Sequence, residues 1–201
     1  MKFQIGDATD VALCVGLKHE FLRCEDAFND FASSAKVMIV QGENRRICYT
    51  TYNAYARFIH HLYEFILGAV ARDRRDTKKL ESDVAERYIT GHAQRILTNR
   101  RNAIMNGTAP PWENHISYYP EKIPQTFARD FRQFRNFASG HVTYKRSDLS
   151  LTKFYDHSHK FLYMLYYEAK SWWGRQSEEF PDLKEITSFS VLVKDEPPTQ
   201  P

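Results

Sequence analysis

Arg135, Asn136 and His141 are the residues whose types and spacing could do chemistry. An arginine is charged at every relevant pH and can hold a phosphate through two parallel N–H donors. A histidine titrates near neutrality and can take or give a proton there. The two groups on one helix end are a kit for cleaving a phosphodiester. They lie in the stretch Phe127 to His141, which opens as an amphipathic helix. Phe127, Phe131, Phe134 and Ala138 fall at helical spacing and form one apolar stripe. Arg132 and Arg135, three apart, project from an adjacent face. Six positions of unbroken helix would turn Arg135 and His141 roughly 240° apart, at about 100° per residue. Gly140 offers a stop, because glycine takes the left-handed conformation that ends many helices. A break there is what brings the guanidinium and the imidazole to one place.

Arg135-Asn136, four further residues and His141 resemble the Arg-x(4–6)-His signature of the HEPN superfamily, in which a polar residue, often Asn, follows the Arg. The resemblance implies an all-helical, usually dimeric fold and metal-independent cleavage of RNA. The ribose 2′-OH would attack the adjacent phosphate and leave a cyclic phosphate end. Arg135 and His141 would be catalytic, with Asn136 in support. Because one motif supplies one histidine, a full acid–base pair would need two chains meeting in a shared cleft. An acidic residue on an earlier helix accompanies the pair in some members, and Glu64 is the position nominated here. Some members are toxins paired with an antitoxin or act in phage defence, so such a partner protein is a further implication. In one group a tyrosine two residues after the histidine is modified by the antitoxin. Here Tyr144 stands one residue too far, and that regulation is not carried over. A competing pattern, Arg87 to His92, falls within a predicted helix and lacks the Asn.

The elements that must position these residues are helical. Asp7 or Thr9 can cap a first helix to about Met38, with Cys14, Leu17, Phe21, Cys24, Phe28, Phe31 and Ala35 in a 3-4 alternation. A second helix from near Asn44 to about Asp73 has Tyr52, Tyr55, Ile59, Leu62, Ile66 and Val70 as its core face. Its separate stripe of Arg57, His61, Glu64 and Gly68 could also be plain surface, with Arg57 and Glu64 a solvated pair. The mixed-charge run 72–79 is basic enough to touch phosphates, though such runs are more often solvated turns. A third helix follows to Met105, with Leu80, Val84, Tyr88, Ile96 and Ile104 inward and a basic side of Arg95, Arg100 and Arg101. The loop 109–120 carries Trp112, Tyr118 and Tyr119, which can stack unpaired bases or fold back onto the bundle; the second is the commoner use of aromatics. The fourth helix spans about Glu121 to Ser139. A fifth, capped by Ser147, Asp148 or Ser150, reaches about Trp173. Alternation of Phe189, Val191 and Val193 predicts a short extended segment. The expected architecture is all-α: a single-domain, HEPN-like bundle of about five helices over 1–180. An extended segment and a disordered Pro-rich tail would fill 181–201.

Composition narrows the classes. The 201 residues are enough for one domain with a real core, and 42% hydrophobic content excludes general disorder. A net charge of +3 permits nucleic-acid binding without requiring it. Three cysteines with no C-x-x-C read as reduced thiols, which together with no evident secretory signal and no apolar run of ~20 residues predicts a cytoplasmic protein without a membrane partner. Glycine-rich phosphate loops, nucleophile elbows and His-Glu-x-x-His are absent, so no cofactor is expected. A metal site is a different class of reading. His60-His61 and His157-Ser158-His159 could meet between helices, but such neighbours diverge on a helix, so each pair offers one ligand and no metal is assigned. The alternative to a nuclease is a non-catalytic HEPN-like module that binds RNA, a nucleotide or a protein partner.

Overall fold

The N-terminal half folds as a long helical hairpin whose ends are fixed by side-chain caps. Asp7 accepts hydrogen bonds from the backbone N–H groups of Thr9 (2.8 Å) and Asp10 (2.9 Å), which starts α1 (Ala8–Gln41). Gly42, at φ 86°, ends it, and Asn44 caps α2 (Arg45–Asp73) through the N–H of Ile47 at 2.9 Å. The computed structural model describes residues 1–113, 115–139, 150–173 and 184–195. The remaining elements are α3 (Ser82–Met105), two single 3₁₀ turns (Pro111–Glu113 and Ile116–Tyr118), α4 (Phe127–Ser139), α5 (Leu151–Trp173) and α6 (Lys184–Asp195). The protein is all-α, a single-domain helical bundle, and the described residues hold no strand beyond an isolated bridge between Lys2 and Asp76. No described helix is long and apolar enough to cross a membrane.

Apolar stripes on five helices meet in one core. Leu17, Phe21 and Cys24 of α1 pack with Phe58, Ile59, Leu62 and Ile66 of α2. Phe127 and Phe131 of α4 and Phe161, Leu162 and Leu165 of α5 close it. Gly68 lets α1 approach closely: a Cβ there would stand 2.7 Å from a methyl of Leu17. Across the ends of the hairpin, buried Asp10 accepts from Arg72 Nε at 2.8 Å. That guanidinium, with the N–H of Gly6, holds the Asp10 carboxyl below its usual range. All three cysteines are free.

Several expectations are corrected. The C-terminal segment expected to be extended is helical from Lys184 to Asp195. An isolated strand leaves its backbone groups unpaired, whereas a helix pairs them within the segment. Ile186, Phe189 and Val193 also stand at helical spacing, so the alternation was ambiguous. The tail 196–201 lies outside the described residues. On α3 the inward face is Ala85, Ile89, Ala93, Ile96 and Leu97, while Tyr88 is exposed. Ala85 and Ile89 take the inward positions expected of Val84 and Tyr88, one position away in each case. α4 begins at Phe127 and not near Glu121, because Pro124 lacks an N–H and restricts Ile123, whose N–H instead donates to Gln94 Oε1 at 2.9 Å. Of the loop aromatics, Tyr119 is buried, but Trp112 and Tyr118 are exposed.

An aromatic cluster ties α5 to the hairpin. Tyr55, Phe31 and Tyr155 surround His159, whose Nδ1 lies 3.1 Å from the Tyr55 hydroxyl. Burial pushes the His159 pKa down to about 4. The unfolded chain, with its ordinary value of 6.5, therefore binds more protons between these limits, and stability must fall as pH drops. This histidine alone should cost about 3 kcal/mol between pH 7 and pH 4. Urea unfolding across that range should show the loss, and His159→Phe should flatten it. In the core, Phe131→Ala should lower unfolding free energy by about 3–5 kcal/mol in the same assay.

Candidate functional site

Burial of Phe127, Phe131 and Phe134 orients α4 so that its arginines reach neighbouring helices. Arg132 Nε donates to Glu86 of α3 at 2.7 Å. Arg135 pairs through both Nε and Nη2 with Glu64 of α2, and its Nη1 donates to Asn136 Oδ1 at 2.7 Å. Arg135 and Glu64 are each about a third exposed, so the pair is reachable from solvent. The guanidinium also lies over the Tyr63 ring, 5.6 Å from its centroid, and Phe131 holds that ring edge-on at 5.0 Å. A positively charged plane is thus held by a carboxylate, an amide and an aromatic face. The structure brings Arg135, Asn136 and Glu64 together. Glu64 is not paired with Arg57, which forms its ion pair with Asp30 at 2.9 Å. His141 lies outside the described residues, as do Gly140 and Tyr144.

These side chains border a cavity of about 530 Å³ beside the turn between α2 and α3. Arg74, Lys78, Lys79, Arg132 and Arg135 line it, against one carboxylate, that of Glu64, among the described residues. Glu86 neutralises Arg132 in addition. Nη1 of Arg74 is buried and has no hydrogen-bond partner among the described residues. A buried donor left unpaired costs free energy that an incoming acceptor would recover. The charges therefore favour an anion with several acceptor oxygens.

Residues 72–79, basic enough to touch phosphates but read first as a solvated turn, contribute Arg74, Lys78 and Lys79 to this cavity. The turn is built in place: the N-terminal ammonium meets Asp76 Oδ1 at 3.0 Å, and the N–H of Lys78 donates to the same oxygen at 3.0 Å. Phe3 N–H donates to the carbonyl of Arg75, which sits at φ 53°. Of the two acids in the run, Asp76 is thereby engaged with the N-terminus and Asp73 borders a separate cavity, while the side chains of Lys78 and Lys79 face this one. The only signal in the sequence was the basic excess of the run.

The expected basic side of α3 is largely spoken for. Arg100 pairs with Glu113, and Arg101 donates to the carbonyl of Tyr119, so both fasten the loop to α3. The competing Arg87/His92 pattern borders a second cavity of about 830 Å³. There Arg87, Arg95 and His92 are offset by Asp73 and Glu168, and much of the wall is apolar, including Phe65, Leu165 and Trp173. His92 is held below its ordinary pKa by burial and then by Arg95, whose Nη2 is 3.0 Å from its Nδ1. That cavity lacks the cationic excess of the first. The two histidine pairs do not build the site the sequence allowed for: His159 engages Tyr55, whereas His61 lies 2.6 Å from Glu20.

No family model, no curated protein and no solved structure matches the chain.

Inorganic pyrophosphate should bind the cationic cavity and raise the melting temperature at low ionic strength. A concentration of 100 Kd corresponds to about 2.7 kcal/mol of added stability. The double substitution Lys78→Glu/Lys79→Glu should abolish the shift in a calorimetric melt, and an unchanged shift would place the anion elsewhere.

Proposed function

We propose that this chain is a metal-independent endoribonuclease of the HEPN type, working as a homodimer. One observation carries the reading: Arg135, Asn136 and Glu64 converge at the edge of a cavity with a marked excess of cationic groups. RNA presents what such a surface attracts, a run of phosphates. The resemblance of Arg135-Asn136 and His141 to the HEPN signature supplies the reaction class, and the geometry supports it by placing the arginine where a phosphate can reach it.

In this reading the scissile phosphate competes with Glu64 for the Arg135 guanidinium. Glu64 holds the guanidinium in position until the substrate arrives, while Asn136 fixes its orientation from the other edge. A bidentate guanidinium stabilises the charge that grows on the phosphate oxygens as the 2′-oxygen attacks. The P–O bond to the 2′-oxygen forms and the bond to the 5′-oxygen breaks, leaving a cyclic phosphate. His141 takes the 2′-OH proton, and the His141 of a second copy gives one to the departing 5′-oxygen. Lys78, Lys79 and Arg74 hold flanking phosphates. A toxin or phage-defence setting, with an antitoxin or defence-system partner, is part of the same proposal and rests on the resemblance alone.

Single-stranded RNA of mixed sequence, incubated with the protein in EDTA, should be cut to products with cyclic phosphate ends. Arg135→Ala and His141→Ala should each lower the rate by about 10²-fold or more. Glu64→Gln should leave the fold intact while loosening Arg135, with a smaller loss. A folded dimer that binds RNA without cutting it would favour the binding-module reading. Cleavage that survives both substitutions would move attention to His92.

A further inference from the structure

Two consecutive histidines on one helix should diverge, yet His60 and His61 of α2 stay together. Their rings are 5.1 Å apart, centroid to centroid, and nearly perpendicular at 85°. Both reach towards Glu20 of α1, and one ligand atom from each of the three residues lies within 4.8 Å of the others. His61 Nδ1 already stands 2.6 Å from Glu20 Oε1, with these two side chains 18% and 19% exposed. Nδ1 of His60 is buried and has no hydrogen-bond partner among the described residues. A buried ring nitrogen without a partner is an unfilled position in the hydrogen-bond pattern.

We propose that Glu20, His60 and His61 form a binding site for a zinc-class divalent ion that staples α1 to α2. Two imidazole nitrogens and one carboxylate oxygen suit zinc, cobalt or nickel, whereas magnesium and calcium prefer all-oxygen shells. Bonds of about 2.0–2.2 Å in a tetrahedral site put ligand atoms about 3.3–3.5 Å apart. Reaching that arrangement asks the Glu20 carboxylate to withdraw slightly from His61 and the His60 nitrogen to close in. Both changes are side-chain rotations within a hairpin already packed along its length. Three protein ligands leave a fourth position for water, so the ion would be exchangeable.

An imidazole ligates through its neutral form, so uptake of the ion should weaken as pH falls below neutrality. Arg23 stands 4.0 Å from the second Glu20 oxygen and would remain outside the ligand set. One helical turn separates His60 from Glu64, so the ion would sit next to the Arg135 pair without taking part in it. The proposal does not depend on the nuclease reading.

Untagged protein, stripped with chelator and dialysed, should take up one Co²⁺ per chain at pH 7.5 with a visible d–d absorption band. Zn²⁺ should displace the Co²⁺ and bleach the band. Loss of an outer-shell partner costs metal sites about 10–100-fold, so removing a ligand by Glu20→Gln or His61→Ala should weaken binding by at least about 100-fold. His157→Ala, on exposed α5 surface, should leave it unchanged. A thiolate-to-cobalt charge-transfer band lost in Cys14→Ser or Cys48→Ser would place the ion on cysteine and overturn the proposal. So would the absence of stoichiometric uptake, or uptake that survives both ligand substitutions in folded protein. RNA cleavage in EDTA reads out separately, so failure of the metal site and failure of the nuclease reading remain distinguishable.

Discussion

The burial of Phe127, Phe131 and Phe134 against α2, α3 and α5 decides where the arginines of α4 go, and the candidate site is built around them. A short helix has little choice of orientation once three phenylalanines are inside. With those three inward, the adjacent face carrying Arg132 and Arg135 turns toward the carboxylates of Glu86 and Glu64. Both pairs are half-buried, where an unpaired charge would be costly and a paired one is held in a defined geometry. The Tyr63 ring completes the setting, since it contacts Phe131 in the core and Arg135 at the surface. Packing therefore places the arginine, and electrostatics fixes its direction.

The cavity follows from a different constraint. The turn between α2 and α3 would be a loose charged loop if the N-terminus did not lie against it. The bridge from Lys2 to Asp76, the N–H of Phe3 on the Arg75 carbonyl and the terminal ammonium on Asp76 close it. Engaging Asp76, with Asp73 turned to another cavity, leaves Arg74, Lys78 and Lys79 as the basic lining. A run of mixed charge with a basic excess over residues 72–79 thus becomes a cationic wall in three dimensions. The same separation of charge occurs on the other side of α3, in the opposite sense. There Arg100 and Arg101 are taken up by the loop they fasten, which leaves little free positive charge.

The α1–α2 hairpin shows how much chemistry a simple pairing of helices can gather. Its caps, its close approach at Gly68 and its Asp10–Arg72 bond set the register of the two helices. That register puts Glu20 opposite His60 and His61, and Asp30 opposite Arg57. It also leaves Tyr55 in line with His159 of α5. Each of these contacts joins residues more than 25 positions apart, so none belongs to a local motif.

Local patterns in the sequence were sufficient for the helices, because apolar periodicity, caps and breakers act within a few residues. The boundaries of α1, α2 and α5 and the inward stripe of α4 were legible in this way. Where two periodicities fitted equally, as at Phe189 to Val193, or where apolar residues stood side by side, as at Val84-Ala85 and Tyr88-Ile89 on α3, the sequence did not discriminate. Asn136 could be singled out only as the polar neighbour of Arg135, and Glu64 only as one member of a stripe; the hydrogen bond between Arg135 and Asn136 came from the structure. Tertiary structure alone decided that Glu64 meets Arg135 and that Arg57 meets Asp30. It alone brought Arg74, Lys78 and Lys79 to the same cavity and turned two consecutive histidines toward one carboxylate. The physical reason is common to the three pairings between helices, while the basic groups of the turn are placed by the N-terminal segment against it. Which charge finds which partner depends on the register and rotation of packed helices, and those are set by the volume of the core rather than by neighbours in the chain.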